Sequence, residues 1–168
     1  MQETTLDIIK IAYGDFDQEL KQTRKLLAAL PEGHLDFRPH PKSHTLGGLA
    51  QHVAQLPFLA VSIIRAEQLD FSQIPKLEPP RGVEDILALF DKSATEARAA
   101  LAELNEEHLT KTWTLRMGER VFFTRPKAAL LRDFFLSHMV HHRAQLTVYI
   151  RLLDAPVPGL YGPSADEV

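Results

Sequence analysis

The stretch Ser137-His138-Met139-Val140-His141-His142-Arg143-Ala144-Gln145-Leu146 holds three of the chain's eight histidines within five residues. Read as α-helix, it sets His138 and His142 one turn apart, so both imidazoles project from the same face. A pair so placed can hold a divalent metal once a third ligand arrives from elsewhere. The surrounding residues support a helix. Thr124 can cap it, Pro126 fits a first turn where the missing N–H costs nothing, and the pattern runs to about Leu153. At about 100° per residue, Leu131, Phe134, Phe135, His138, His142, Gln145 and Tyr149 fall within roughly 60° of His138, and Arg143 and Arg151 point away. The histidine pair therefore rides on the apolar face of a long helix, and the rest of the chain must supply helices for that face to pack on.

It does. From about Leu6 to Leu30, apolar residues recur at spacings of three and four, and Pro31-Glu32-Gly33 ends the run. A second helix is expected from Ser43 or Thr45 to about Leu69, with Leu49, Leu56, Leu59, Ile63 and His52 on one face. Gly47 and Gly48 in its first turn imply close approach of another backbone. Pro57 should kink it one turn after His52 and free a carbonyl near Val53. Pro75, Pro79 and Pro80 make residues 70–82 a long connection. A third helix follows over about Val83 to Leu104. Trp113, Leu115, Val121 and Phe123 then alternate with polar residues around Met117-Gly118, which predicts a short hairpin. The expected architecture is a single all-α domain over residues 1–168. It is a four-helix bundle with a long connection between helices 2 and 3 and a short β-hairpin before helix 4. The tail, Asp154 to Val168, carries three prolines and two glycines and is ordered only if it lies over the body.

Composition narrows the chemistry. At 168 residues, with 45% hydrophobic and 24% charged residues, the chain can bury one sizeable core. A net charge of −3 without long runs of like charge gives no nucleic-acid footprint. No apolar run approaches a membrane span and no signal peptide stands at the start, so a cytoplasmic location is expected. Cysteine is absent, which removes disulfides, thiolate ligands and a cysteine nucleophile. Any metal must be held by nitrogen and oxygen, and any thiol must come from a second substrate.

His52 on the buried face of helix 2 is the expected third partner of His138 and His142. Burying three imidazoles costs desolvation that coordination repays, and three histidines are a known catalytic zinc arrangement. His141 could replace one of the pair, carry a proton, or sit at the rim. His34, His40, His44 and His108 fall in expected loops, with His44 nearest the start of helix 2. Met139 follows His138, so the His-Glu-x-x-His protease motif is missing. No Glu-x-x-His occurs, against a ferritin-like di-iron site, and there is neither a phosphate-binding glycine loop nor a Gly-x-Ser-x-Gly elbow.

Three segments carry a resemblance to the DinB/YfiT-like family of metalloenzymes: His44-Thr45-Leu46-Gly47-Gly48-Leu49-Ala50-Gln51-His52-Val53, His138-x-x-His141-His142-Arg143-Ala144-Gln145-Leu146, and Pro156-Val157-Pro158-Gly159-Leu160-Tyr161-Gly162-Pro163-Ser164. They stand in the family's order, and Ala144 departs from the glycine often found there. The resemblance implies a four-helix bundle in which His52, His138 and His142 hold zinc or nickel, and frequently a homodimer. It also implies enzymes that use a low-molecular-weight thiol as cosubstrate, alongside members with no known activity.

The leading expectation is a metal-dependent transferase acting on a small molecule, with a thiol cosubstrate as one form of it. Gln145 would orient a ligand there and His141 would move a proton. Two alternatives stand beside it: a non-catalytic protein in which the metal staples helices 2 and 4, as in a stress response, and a metal-dependent hydrolase. Arg143 points off the core face, toward an anionic substrate or toward a surface or dimer-contact role.

Overall fold

A computed structural model of the chain describes residues 9–167. The start of the expected first helix, residues 6–8, lies outside the described residues. Residues 9–13 are helical, the ladder is interrupted at Gly14 and Asp15, and helix α1 follows over Phe16–Leu27. A Cβ on Gly14 would stand 2.4 Å from the Lys10 carbonyl oxygen, so the interruption needs a residue without one. Gly33, at φ +78°, supplies the exit turn expected after Pro31.

Helix α2, Leu46–Gln55, starts at Thr45, whose Oγ1 accepts from the Gly48 N–H at 3.1 Å. Gly47 allows the close approach expected of it. Its N–H donates to the Leu35 carbonyl at 2.8 Å, and an added Cβ would come within 3.1 Å of the Leu35 side chain. Gly48 is small for a different reason, since its Cβ would crowd the capping hydroxyl at 3.0 Å. Pro57 cannot donate, so the chain breaks there and restarts as α3, Pro57–Arg65. The freed Val53 carbonyl takes the Leu56 N–H at 3.3 Å, and Ser93 Oγ donates to the Ala54 carbonyl at 2.5 Å. Taken together, Leu46–Arg65 is long and apolar enough to cross a membrane by length and composition, which the apolar runs alone did not suggest. Its most apolar window is 67% buried inside the fold, so packing against neighbouring elements accounts for its character. At its far end Lys127 is buried, and its ammonium donates to the Ile64 and Ala66 carbonyls at 3.0 and 2.7 Å. Those are orphan acceptors of a helix C-terminus.

Strand β1, Gln68–Asp70, and a 3₁₀ turn, Phe71–Gln73, open the long connection. Helix α4 spans Val83–Ala102, and the short α5, Glu106–Thr110, is capped by Asn105. His108 lies in α5 rather than in a loop, and its Nδ1 is buried without a hydrogen-bond partner among the described residues. The predicted hairpin is present as β2, Thr112–Met117, and β3, Arg120–Pro126, turning at Gly118 with φ +58°. β1 joins β2 in parallel, so the sheet has three strands.

That sheet moves the start of the last helix. Pro126 ends β3 with ψ 135°, and Thr124 pairs its hydroxyl with that of Thr114 at 2.8 Å instead of capping. The helical path then runs as α6, Lys127–Leu130, a π-helical segment, Leu131–Ser137, and α7, His138–Leu152. The fold is thus mostly helical with a small sheet. The expected four helices are recognisable only in part, because three of them are divided and the sheet is added. α2 and α3 pack on α4, α2 packs on α7, and α1 touches both α4 and α7. Phe16 and Phe135, with ring centroids 5.0 Å apart, bring α1 against the π-helical segment.

The core face of α7 is Met139, Arg143, Leu146 and Ile150, all buried at spacings of four, three and four. Arg143 is 1% exposed, so the expectation that it points away is wrong. The histidines do not mark the core face, which lies about 100° round the helix from them. Arg143 Nη2 meets Glu19 Oε2 at 2.6 Å, and its Nη1 donates to the Glu19 carbonyl and to Thr23 Oγ1 at 3.1 and 3.2 Å. Tyr161 reaches in from the tail, donating its hydroxyl to Glu19 at 2.7 Å and accepting from Arg143. Lys25 to the Gly159 carbonyl at 2.8 Å and Arg151 to Asp166 at 2.6 Å also hold the tail over α1 and α7.

Candidate metal centre

Each of the three histidines owes its place to a local feature. His52 sits on α2 one turn before the break at Pro57. His138 begins α7 directly after the π-helical segment, and His142 follows one turn later. The fold brings them together: one nitrogen from each of His52, His138 and His142 lies within 4.8 Å of the others. His52 Nε2 and His138 Nε2 are 3.4 Å apart, and both rings lie with centroids 4.7 Å from that of His142.

Two of the rings have their other nitrogen engaged. His138 Nδ1 is 3.3 Å from the Phe134 carbonyl. In a regular α-helix that carbonyl would accept the His138 N–H, but here the His138 N–H donates to the Phe135 carbonyl, where the π-helical segment meets α7. His142 Nδ1 is 2.7 Å from Gln145 Oε1. A proton on each Nδ1 leaves the Nε2 lone pair pointing away from its partner, the tautomer that a metal ligand needs. Phe134 also stacks on His138 at 5.8 Å and fixes the ring plane.

The cluster is electrostatically suited to a cation. Burial pushes the His52 imidazole down to about 4, helped by His142, His138 and His44 nearby. Burial likewise lowers His138 and His142, opposed in part by their Phe134 and Gln145 hydrogen bonds. Three imidazoles held neutral at pH 7, with lone pairs converging, fit a divalent ion of nitrogen preference.

A pH dependence follows for metal-stripped protein. An unfolded histidine titrates near 6.5, so below that pH the unfolded chain binds protons that folded His52 refuses. Stability is therefore full above about 6.5 and falls as pH drops toward 4. Allowing for the partial exposure of His52, its share of the loss between pH 7 and pH 5 is about 1 kcal/mol. Urea denaturation in EDTA should show this loss, and His52→Asn should make the pH slope shallower. An unchanged slope would contradict the burial argument.

His141 is exposed, with its ring centroid 4.8 Å from that of His142, so it stands at the rim. Gln145 touches His142 and positions it. His44 is also exposed, but near enough to act on His52 and His142 through its charge. The remaining loop histidines, His34 and His40, are not part of the cluster. The Phe134 carbonyl has no signature in the sequence, whereas Gln145, three residues after His142 on one helix, could have been read as its partner. Beside His52 and His138 opens a cavity of about 660 Å³ between α2, α3, the long connection and α4.

Comparison with known proteins bears on the family and the fold. The model of the DinB family matches residues 1–168. An uncharacterised protein of Bacillus subtilis, YrdA, is 28% identical over 151 residues, covering 89% of this chain and 85% of the relative. Among solved structures, a DinB-like protein of Bacillus subtilis, YjoA, superposes with a TM-score of 0.68 at 20% identity, over 89% of this chain and 96% of that one. A DinB-like protein of Bacillus cereus does so with a TM-score of 0.68 at 23% identity, over 89% and 95%. At these identities the structures speak for the fold alone.

Proposed function

The chain belongs to the DinB family, and we propose that its His52, His138 and His142 hold one divalent ion, zinc or nickel, in the service of a transferase acting on a small molecule. The observation that carries this reading is the convergence of three imidazole nitrogens within 4.8 Å at the end of a cavity. A bound ion supplies Lewis acidity there, stabilising negative charge on a reactant. The chain's own residues do the rest. Gln145 and the Phe134 carbonyl hold the ligand tautomers. His141, exposed at the rim, offers a proton acceptor. With no cysteine in the chain, a thiol group in the reaction would belong to a cosubstrate.

Metal analysis of the purified protein is the direct test, followed by screening of low-molecular-weight thiols against electrophiles. One equivalent of metal, removable by chelator and restorable, is the expected result. Failure to load zinc or nickel at all sinks the proposal. Gln145→Ala should weaken metal binding about 10- to 100-fold, the usual effect of removing a group that orients a metal-bound histidine. Competition with a chromogenic chelator measures it, and unchanged affinity would remove Gln145 from its positioning role.

A further inference from the structure

The cavity beside His52 and His138 has a character that the metal proposal does not use. Its walls are mainly aliphatic and aromatic, with Leu59 from α3, Leu69, Phe71, Ile74 and Leu77 from the long connection, and Leu89 from α4. Phe71, Ile74 and Leu77, with Phe58 at the edge of α3, are 40–47% exposed. Large apolar side chains gathered round one opening mark a binding surface, and about 660 Å³ is the size of a small-molecule site.

The polar groups in the lining divide into two kinds. Ser93 donates to the Ala54 and Phe90 carbonyls, and Gln51 donates to the Glu78 carbonyl, so both are committed to holding the fold. Lys76 and Lys92 line the same cavity, and neither ammonium has a hydrogen bond or ion pair among the described residues. Against these two positive charges the lining sets one carboxylate, Glu96, leaving an excess of one positive charge.

Building on the metal reading, we propose that the reactant is an apolar-bodied anion. Its aliphatic or aromatic body lies against Phe71, Ile74 and Leu59, within reach of His52 and His138, and its negative charge is matched by Lys76 and Lys92. Shape and lining select the body, and the lysines select the sign of charge. The long connection is then the specificity element of the site, since it supplies Phe71, Ile74 and Lys76 from one short segment.

Isothermal titration of octanoate, octanol and octylammonium into the full-length protein tests this, once metal-stripped and once zinc-loaded. Octanoate should bind at one site per chain and octylammonium most weakly. Phe71→Asn and Ile74→Asn should each weaken octanoate binding about tenfold, the effect of losing part of an apolar contact. Both side chains are well exposed, so both variants should fold, and circular dichroism checks this. Combining Lys76→Gln with Lys92→Gln should abolish the preference for octanoate over octanol. The idea is overturned if no member of the series binds, if the three bind equally, or if the Phe71 and Ile74 variants bind as the parent does. It is also overturned if sedimentation shows a second copy of the chain covering this face in a dimer that Phe71→Asn dissociates. Octanoate binding by stripped protein that cannot be reloaded with zinc would refute the metal reading while leaving the cavity reading intact. Zinc loading without octanoate binding would do the opposite.

Discussion

Arg143→Ala should lower the stability of the protein by about 3–5 kcal/mol, the cost of removing one member of a buried ion pair. In a domain of this size that is a fall in melting temperature of roughly 10 °C. Arg143 is 1% exposed, and Glu19 keeps only a little access to solvent. Without the guanidinium, the Glu19 carboxylate keeps the Tyr161 hydroxyl as its hydrogen-bond donor among the described residues, and Thr23 Oγ1 loses a donor. The pair itself is not the source of that energy. Desolvating two charges offsets most of their attraction, so the loss comes from stranding one of them. The double variant Glu19→Leu with Arg143→Met should therefore recover most of the stability. Thermal unfolding by circular dichroism distinguishes the outcomes. An Arg143→Ala protein melting within about 2 °C of the parent would show that the pair anchors nothing. Because Arg143 follows His142 and its partners lie on α1 and the tail, the same variant should loosen the metal centre. A fall in metal affinity that persists in the double variant, once its stability is recovered, would separate positioning of the helix that carries His138 and His142 from bulk stability.

Arg143 also shows where sequence reasoning failed. A histidine pair on a helix is a conspicuous marker, and centring the apolar face on it displaced the true core by about a quarter turn. An arginine at the core position of a pattern reads as a surface residue until its partner is known. Here Glu19 lies more than a hundred residues away, and nothing local announces it. Features with local causes were legible. Thr45 as cap, Gly47 as a close approach and Pro57 as a break all follow from the stereochemistry of single residues. The hairpin was legible from alternation, but β1 was not, because three residues pairing in parallel with a strand more than forty residues on leave no period to detect. Its pairing partner β2 helps to hold β3 extended to Pro126, and that in turn delays the last helix. The π-helical segment preceding His138 is equally silent in sequence. Yet at its end the Phe134 carbonyl stands 3.3 Å from His138 Nδ1. The ligand set could be proposed in advance because histidines are rare and their spacing is helical. The groups that orient them depend on backbone detail.

His52→Ala should abolish tight metal binding while leaving the fold standing. The two halves of that expectation rest on different observations. His52 approaches the pair on α7 from another helix, so its removal leaves two ligands one turn apart on a single helix. Four-ligand zinc sites supply about 10–16 kcal/mol, a few kcal/mol per ligand, so losing one of three weakens binding on the order of a thousandfold. The fold does not depend on the ion in the same way. α2 packs on both α4 and α7, and its Leu46, Leu49, Ala50 and Val53 are buried, while His52 itself is only half-buried. Removing a partly exposed imidazole that the fold holds neutral against its own preference relieves a desolvation cost and opens a modest cavity. The variant should therefore melt within a few degrees of metal-stripped parent protein. Zinc should raise the melting temperature of the parent and leave that of His52→Ala where it was. If instead the parent unfolds when chelator removes its metal, the ion is a staple between α2 and α7, and the catalytic reading of the site falls with it.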